Sequence, residues 1–228
     1  MATELEEKSQ VKAKFSRNLA TVRDDLMELG SLVAAAMEQS VRAVLTRDGD
    51  LARRVITGDL AVNSLEEAMD RECVRLIALF QPVAGDVRQL MAVDHIITEL
   101  ERIGDSATNI AEEVLTLRHL PPRPIHPSLA SMAQTVQEMV RQSLEAFFRS
   151  NAHLARQVCL TDSDVDALDQ AIIQDLLGEM TGAPEAILPG QCQINIVRNL
   201  ERVGDHATNI CEASIFIVKG VDIKHHGA

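Results

Sequence analysis

Apolar side chains recur along this chain every three to four positions and never cluster in strict period-two alternation, which is the pattern of amphipathic helices and not of half-buried strands. Helix-stopping residues cut the pattern into six long pieces. Asp48-Gly49-Asp50 ends the first run and Gln81-Pro82 the second. The stretch Pro121-Pro122-Arg123-Pro124-Ile125-His126-Pro127 ends the third, and Ser150-Asn151 the fourth. The fifth stops at Thr181-Gly182-Ala183-Pro184, with Pro189-Gly190 soon after, and the sixth reaches Lys219-Gly220. The expected helices are therefore roughly 14–47, 50–80, 86–118, 127–149, 152–178 and 191–218.

The two halves repeat one another. Residues 95–112 read HIITELERIGDSATNIAE and residues 195–212 read NIVRNLERVGDHATNICE, identical at 11 of 18 positions with an offset of 100. Earlier in each half, Asp59-x-x-x-Asn63-x-x-Glu66 returns as Asp162-x-x-x-Asp166-x-x-Asp169, and Gln39-Ser40 as Gln142-Ser143, both at an offset of 103. The three-residue slip falls in the loop before the third helix. Three helices with short connections form an up-down-up bundle. The expectation is an all-α protein of two tandem repeated three-helix bundles, residues 1–122 and 123–228, meeting at the proline-rich stretch.

Composition agrees with that picture and narrows the chemistry. A chain of 228 residues suits one large domain or two of about 110. Apolar residues make up 46%, and the only aromatics are five Phe, so aliphatic side chains must fill a helix-on-helix interior. The net charge of −12, with no Lys/Arg cluster along the sequence, argues against nucleic-acid binding. An acidic surface suits divalent cations or a basic protein partner, and also plain solubility. Cys73, Cys159, Cys192 and Cys211 lack CxxC spacing, so neither a disulfide scaffold nor a zinc ribbon is expected. The opening MATELEEKSQVKAKF has no apolar signal run, and nowhere do ~18 consecutive apolar residues occur. The expected location is the reducing cytoplasm, without a membrane span.

On the third helix of the first half, at ~100° per residue, Glu101, Asp105, Thr108, Asn109 and Glu112 occupy one face and Leu100, Ile103, Ala107, Ile110 and Val114 the opposite one. The polar stripe returns intact as Glu201, Asp205, Thr208, Asn209 and Glu212, whereas Glu99, Ser106 and Glu113 have become Asn199, His206 and Ala213. The changed positions are read as solvated. If the second and third helices of each half run antiparallel about the proline turn, Asp59 lies beside Asp105 and Asn63 beside Glu101. Asp162 then lies beside Asp205, and Asp166 beside Glu201. Carboxylates this close raise one another's pKa unless a cation sits among them. Oxygen-only donors at i, i+4 spacing on adjacent helices suit Mg, Mn, Ca or Fe. No Glu-x-x-His pair occurs, so the ferritin-like di-iron pattern is absent. The residues leave a solvated face and a metal site both open, with Glu66, Asn109, Asp169 and Asn209 as further candidate ligands. Gly104 and Gly204, mid-helix in both halves, point to close helix approach. Arg102 and Arg202 flank the stripe, suited to intrahelical ion pairs as well as to a partner. No phosphate loop, nucleophile elbow or HExxH is present, and His206 and the pair His225-His226 form no catalytic group.

Glu101-Arg102-Ile103-Gly104-Asp105 with Asn109-Ile110, and Glu201-Arg202-Val203-Gly204-Asp205 with Asn209-Ile210, resemble the paired signatures of the PhoU family. The resemblance takes in Gln81 to Arg88 and the closing Ile217-Val218-Lys219-Gly220, and spans the chain from about Phe15 to His225. It implies two three-helix bundles, homodimers, and metal clusters on E/DxxxD motifs that here match Glu101/Asp105 and Glu201/Asp205. The family's acids on the second helix match Asp59, Asp162 and Asp166, while Asn63 departs by replacing a carboxylate, implying a weaker first site. The implied ions are divalent or trivalent: Fe, Mg, Mn, Zn or Ca. The implied function is regulatory and non-enzymatic: repression of the phosphate-starvation response, linking the ATPase subunit of a phosphate ABC transporter to a sensor histidine kinase at the membrane periphery. From the carboxylate patches alone, a metal-dependent phosphohydrolase or a purely structural helical module are the alternatives.

Overall fold

The computed structural model describes residues 2–219. They form six long helices: α1 (Ala2–Thr46), α2 (Gly49–Phe80), α3 (Ala84–Leu117), α4 (Leu129–Phe148), α5 (Ala152–Gly182) and α6 (Ile187–Lys219). One 3-10 turn, Pro184–Ala186, precedes α6, and there is no strand among the described residues. The expected stop at Gly220 and the pair His225-His226 lie outside the described residues. Two boundaries differ from expectation for local reasons. Helix α1 begins well before residue 14, because residues 4–14 are helix formers without the apolar period that marks a buried face. Helix α6 takes Pro189 and Gly190 into its first turn, where the backbone N–H groups have no intrahelical partner to lose. A Cβ at Gly190 would meet the Met180 sulfur at 2.8 Å, so the glycine lets α5 and α6 close on one another.

The duplication reaches the backbone. Arg47 and Ser150 both adopt a left-handed conformation, with φ of 53° and 50°. Each is followed by a capping side chain: Asp48 accepts from the N–H groups of Asp50 and Leu51, and Asn151 from those of His153 and Leu154. Ser40 and Ser143, both fully buried, bond back to the carbonyls of Met37 and Val140 at 2.9 and 2.8 Å.

Helices α1, α2 and α3 pack on one another, as do α4, α5 and α6. The most extensive helix contact in the molecule is nevertheless between the halves, α3 against α6, supported by α1 against α4. One continuous aliphatic core results, running from Phe15 through Leu100 and Ile103 to Leu200, Val203 and Ile215. Across the α3–α6 seam, Asn109 bonds to Asn199 at 3.3 Å and Asn209 to Glu99 at 2.9 Å. Moving ten residues along α3 moves the partner back ten along α6, so the two helices run antiparallel and the halves are related by a local two-fold. No helix among the described residues is long and apolar enough to cross a membrane.

Candidate metal centres on two acidic hairpins

In the first half, α2 and α3 form an antiparallel hairpin about the turn at Pro82, and Gly104 sets how closely they approach. A Cβ at Gly104 would sit 3.3 Å from Val62 Cγ1 and 3.7 Å from Asp59 Oδ1. The carboxyl of Asp59 therefore lies against α3 at the level of the Glu101–Asp105 pair, as the turn geometry requires. Asn63 Nδ2 donates to Asp59 Oδ2 at 2.9 Å, which leaves Asn63 Oδ1 buried without a partner. Burial first, then the charges of Asp105 and Asp59, push Glu101 above the usual carboxylate range. Asp105 is raised by burial and by Asp59, with Arg202 from α6 opposing. Glu66 is raised by burial, Asp70 and Glu101, and Asp70 by burial and Asp94. The stripe thus extends two residues further than expected. Asp70 follows Glu66 by four positions and Asp94 precedes Glu101 by seven, a periodicity that was available in the sequence.

The second hairpin repeats this with more carboxylates. A Cβ at Gly204 would lie 3.4 Å from Asp162 Oδ1 and 3.5 Å from Val165 Cγ1. Burial and the charges of Asp205 and Asp166 carry Asp162 up to about 6. The Thr208 hydroxyl beside it opposes this, but lacks a well-formed hydrogen bond. Asp205 is raised by burial and Asp166, with His206 and Arg202 opposing; Glu201 is raised by burial, Asp205 and Asp169. Asp169 is only 3% exposed. Its Oδ2 takes Arg198 Nη1 at 3.1 Å and its Oδ1 is buried with no partner. Burial raises it too, with Arg198 opposing.

Asn109 and Asn209 sit elsewhere. Their carboxamides donate into the α3–α6 seam, so they act between the halves and not within a hairpin. The positions that changed between the repeats are not solvated, which corrects the expectation. Glu99 is 1% and Ser106 2% exposed, and Glu113 accepts from Asn195 at 2.7 Å. Glu99 Oε2 accepts from Asn209 and lies 2.7 Å from His206 Nδ1, while Oε1 lies 3.4 Å from Arg102. Burial alone would raise Glu99, but the His206 and Asn209 bonds, with the charges of His206 and His95, hold it below its usual range. His206 is thereby a half-buried member of the seam. A helical wheel reports that these positions are polar, but not whether the polar face meets water or another helix. The halves differ here because the pseudo-symmetric interface pairs Glu99 with His206 on one side and Asn199 near Asn109 on the other.

The donor set fits a hard cation. Every candidate ligand left in the two hairpins is an oxygen, several carboxyls are raised by one another, and buried oxygens of Asn63, Asp70, Asp169 and Thr208 have no hydrogen-bond partner. Among the described residues, no three His, Cys, Asp or Glu side chains already converge as a ligand shell. The hairpins thus supply donors gathered in one patch, without a closed cage.

The PhoU domain model matches residues 26–114 and again 129–214, one copy for each half. The phosphate-specific transport system accessory protein PhoU of Edwardsiella tarda is 36% identical over 214 residues, covering 94% of this chain and 88% of its own. The crystal structure of PhoU from Pseudomonas aeruginosa superposes with a TM-score of 0.87 at 35% identity, covering 91% of this chain and all of that one. The phosphate transport system regulatory protein PhoU from Streptococcus pneumoniae superposes with a TM-score of 0.86 at 28% identity, over 91% of this chain and 98% of its own.

Proposed function

The chain belongs to the PhoU family, and on that premise we propose that it is a non-enzymatic regulator of phosphate uptake whose two acidic hairpins hold metal ions. The observation that carries the metal half of this reading is the meeting of Asp59 with Glu101 and Asp105, and of Asp162 and Asp166 with Glu201 and Asp205, each across a glycine-closed hairpin. Carboxylates held in such proximity at neutral pH carry a standing repulsion, and a bound cation reverses its sign. Rotamer changes of the half-exposed Glu101 and Glu201 would complete each shell. The second hairpin, with Asp166 where the first has Asn63, is the stronger site. An ion so held would brace α2 on α3 and α5 on α6, and offer open coordination positions to a carboxylate or phosphate on a partner.

The regulatory half rests on the relatives, which are named accessory and regulatory proteins of phosphate transport and align over nearly their full length. In this reading the chain, as a homodimer, represses the starvation response by joining the transporter's ATPase subunit to a sensor histidine kinase. Deleting the gene in its source cell and following starvation-gene expression in high phosphate tests it. The expected result is constitutive expression; repression as in the parent would overturn the reading. Phosphatase assays with several metals should stay at background.

A further inference from the structure

The end of the molecule where α1 turns into α2 and α3 runs out has a chemistry the acidic hairpins do not share. The chain carries −12 overall, yet residues 42–54 hold Arg42, Arg47, Arg53 and Arg54 against Asp48 and Asp50. Residues 115–126 hold Arg118, His119, Arg123 and His126 with no acid at all. The fold joins these segments, which lie too far apart in sequence to read as one cluster. Arg47 donates to the carbonyl oxygen of Arg123. The Arg118 guanidinium lies over Gly49 so closely that a Cβ there would strike it. Between them is a cavity of about 540 Å³ lined by Arg53, Leu115, Arg118 and His119.

The nearby acids take up part of this charge: Glu185 pairs with Arg123 and Asp175 with His126. Asp50 pairs with Arg53. Asp48 is committed to capping α2, and its backbone bonds, together with Arg54 and Arg118, hold its carboxyl below the usual range. Around the hollow itself, Arg53, Arg54 and Arg118 outnumber Asp48 and Asp50 by one. Cations also suit a helix C-terminus, which accounts for Arg118 and His119 at the end of α3. It does not account for Arg53, which reaches the same hollow from the first turns of another helix. Two guanidinium groups lining one concave space from different helices suit a phosphate, and Leu115 with the arginine stems supplies apolar surface beside it.

We propose that this cavity binds a small molecule through a phosphate group, with Arg53 and Arg118 as the anion ligands and His119 at its rim. The site lies apart from the acidic hairpins and stands whether or not those hold metal. Isothermal titration of the full chain at physiological salt, in EDTA so that no hairpin metal can capture the anion, tests it with orthophosphate, pyrophosphate and adenosine monophosphate as probes. Binding of at least one probe is expected, weakened about tenfold or more in Arg53→Gln and in Arg118→Gln, as loss of a charged hydrogen bond requires. Comparable affinity for orthophosphate and adenosine monophosphate assigns the site to free phosphate; a clear preference for the nucleotide assigns it to a phosphate ester. Both arginines are exposed, but Arg118 also packs on Gly49, so Arg53→Gln with an unchanged thermal melt is the decisive variant. Absence of heat with all three probes, or unaltered affinity in Arg53→Gln, would overturn the proposal.

Discussion

Asp162 shows most directly what a crowded carboxyl does to stability. Its pKa in the fold stands near 6 against 3.8 for the free group, so the folded chain binds its proton more tightly than the unfolded chain. Stability linked to it is present below the unfolded value and is lost as pH rises through the folded one. The raised values of Glu101, Asp105, Glu201 and Asp205 act in the same direction. Metal-free protein should therefore melt higher at pH 5 than at pH 7.5, and a bound divalent ion should remove or invert that difference because protons compete with it. Asp162→Asn should raise the melting temperature in EDTA at pH 7.5 by about 2–4 °C, the shift ~1 kcal/mol gives in a chain of this size. It should also abolish stabilisation by metal at that hairpin; a lower melt in EDTA would refute the repulsion. Glu99 behaves oppositely: its lowered pKa contributes stability that is lost only as pH falls through its folded value, below the 4.5 of the free group. Truncating it by Glu99→Ala strands His206 and Asn209 in the seam, at an expected cost of about 3 kcal/mol in denaturant unfolding. The acids of the hairpins were legible because they recur at helical spacing in both repeats. Glu99 was not, because its pairing lies on a helix from the other half, and no local period records that.

At the level of the helix pair, Gly104 and Gly204 hold the acids in place by what they omit. At Gly204 an alanine Cβ would reach ordinary contact with Asp162 Oδ1 at 3.4 Å, so Gly204→Ala should change the unfolding midpoint little. Gly204→Val has no such room on either side, between Asp162 and Val165, and should push α5 off α6. Metal affinity at the second hairpin should then fall at least about tenfold, with the first hairpin unaffected, as separate titrations of hairpin-specific variants would report. The close approach was legible in the two glycines, since a mid-helix glycine in both repeats needs a steric reason. The helix ends were legible less well. A proline reads as a stop, but Pro189 sits where a helix tolerates one, in the first turn. The repeated left-handed residues Arg47 and Ser150 escaped notice because neither is the Gly or Asn that usually marks that conformation.

Across the whole molecule, the repeat was visible as two bundles, yet the fold is one core closed by α3 and α6. Separated at the proline-rich stretch, residues 1–122 would bare the α3 surface that α6 covers and leave Glu99 without His206 and Asn209, and should associate or aggregate; a monomeric, cooperatively folding half would contradict the shared core. The seam also places Arg202 of α6 near Asp105 and His206 near Glu101, so each hairpin feels the other half's charges. Two hairpins holding ions on one shared core, as proposed, would suit a protein that reports a state to partners without changing its own covalent structure. The measurement that bears most directly on this is elemental analysis of the purified chain after equilibration with divalent metal and removal of the excess. Wild type should retain metal at both hairpins, Asp59→Asn/Asp105→Asn should lose only the first share and Asp162→Asn/Asp205→Asn only the second. Equal retention by all three proteins would contradict the account.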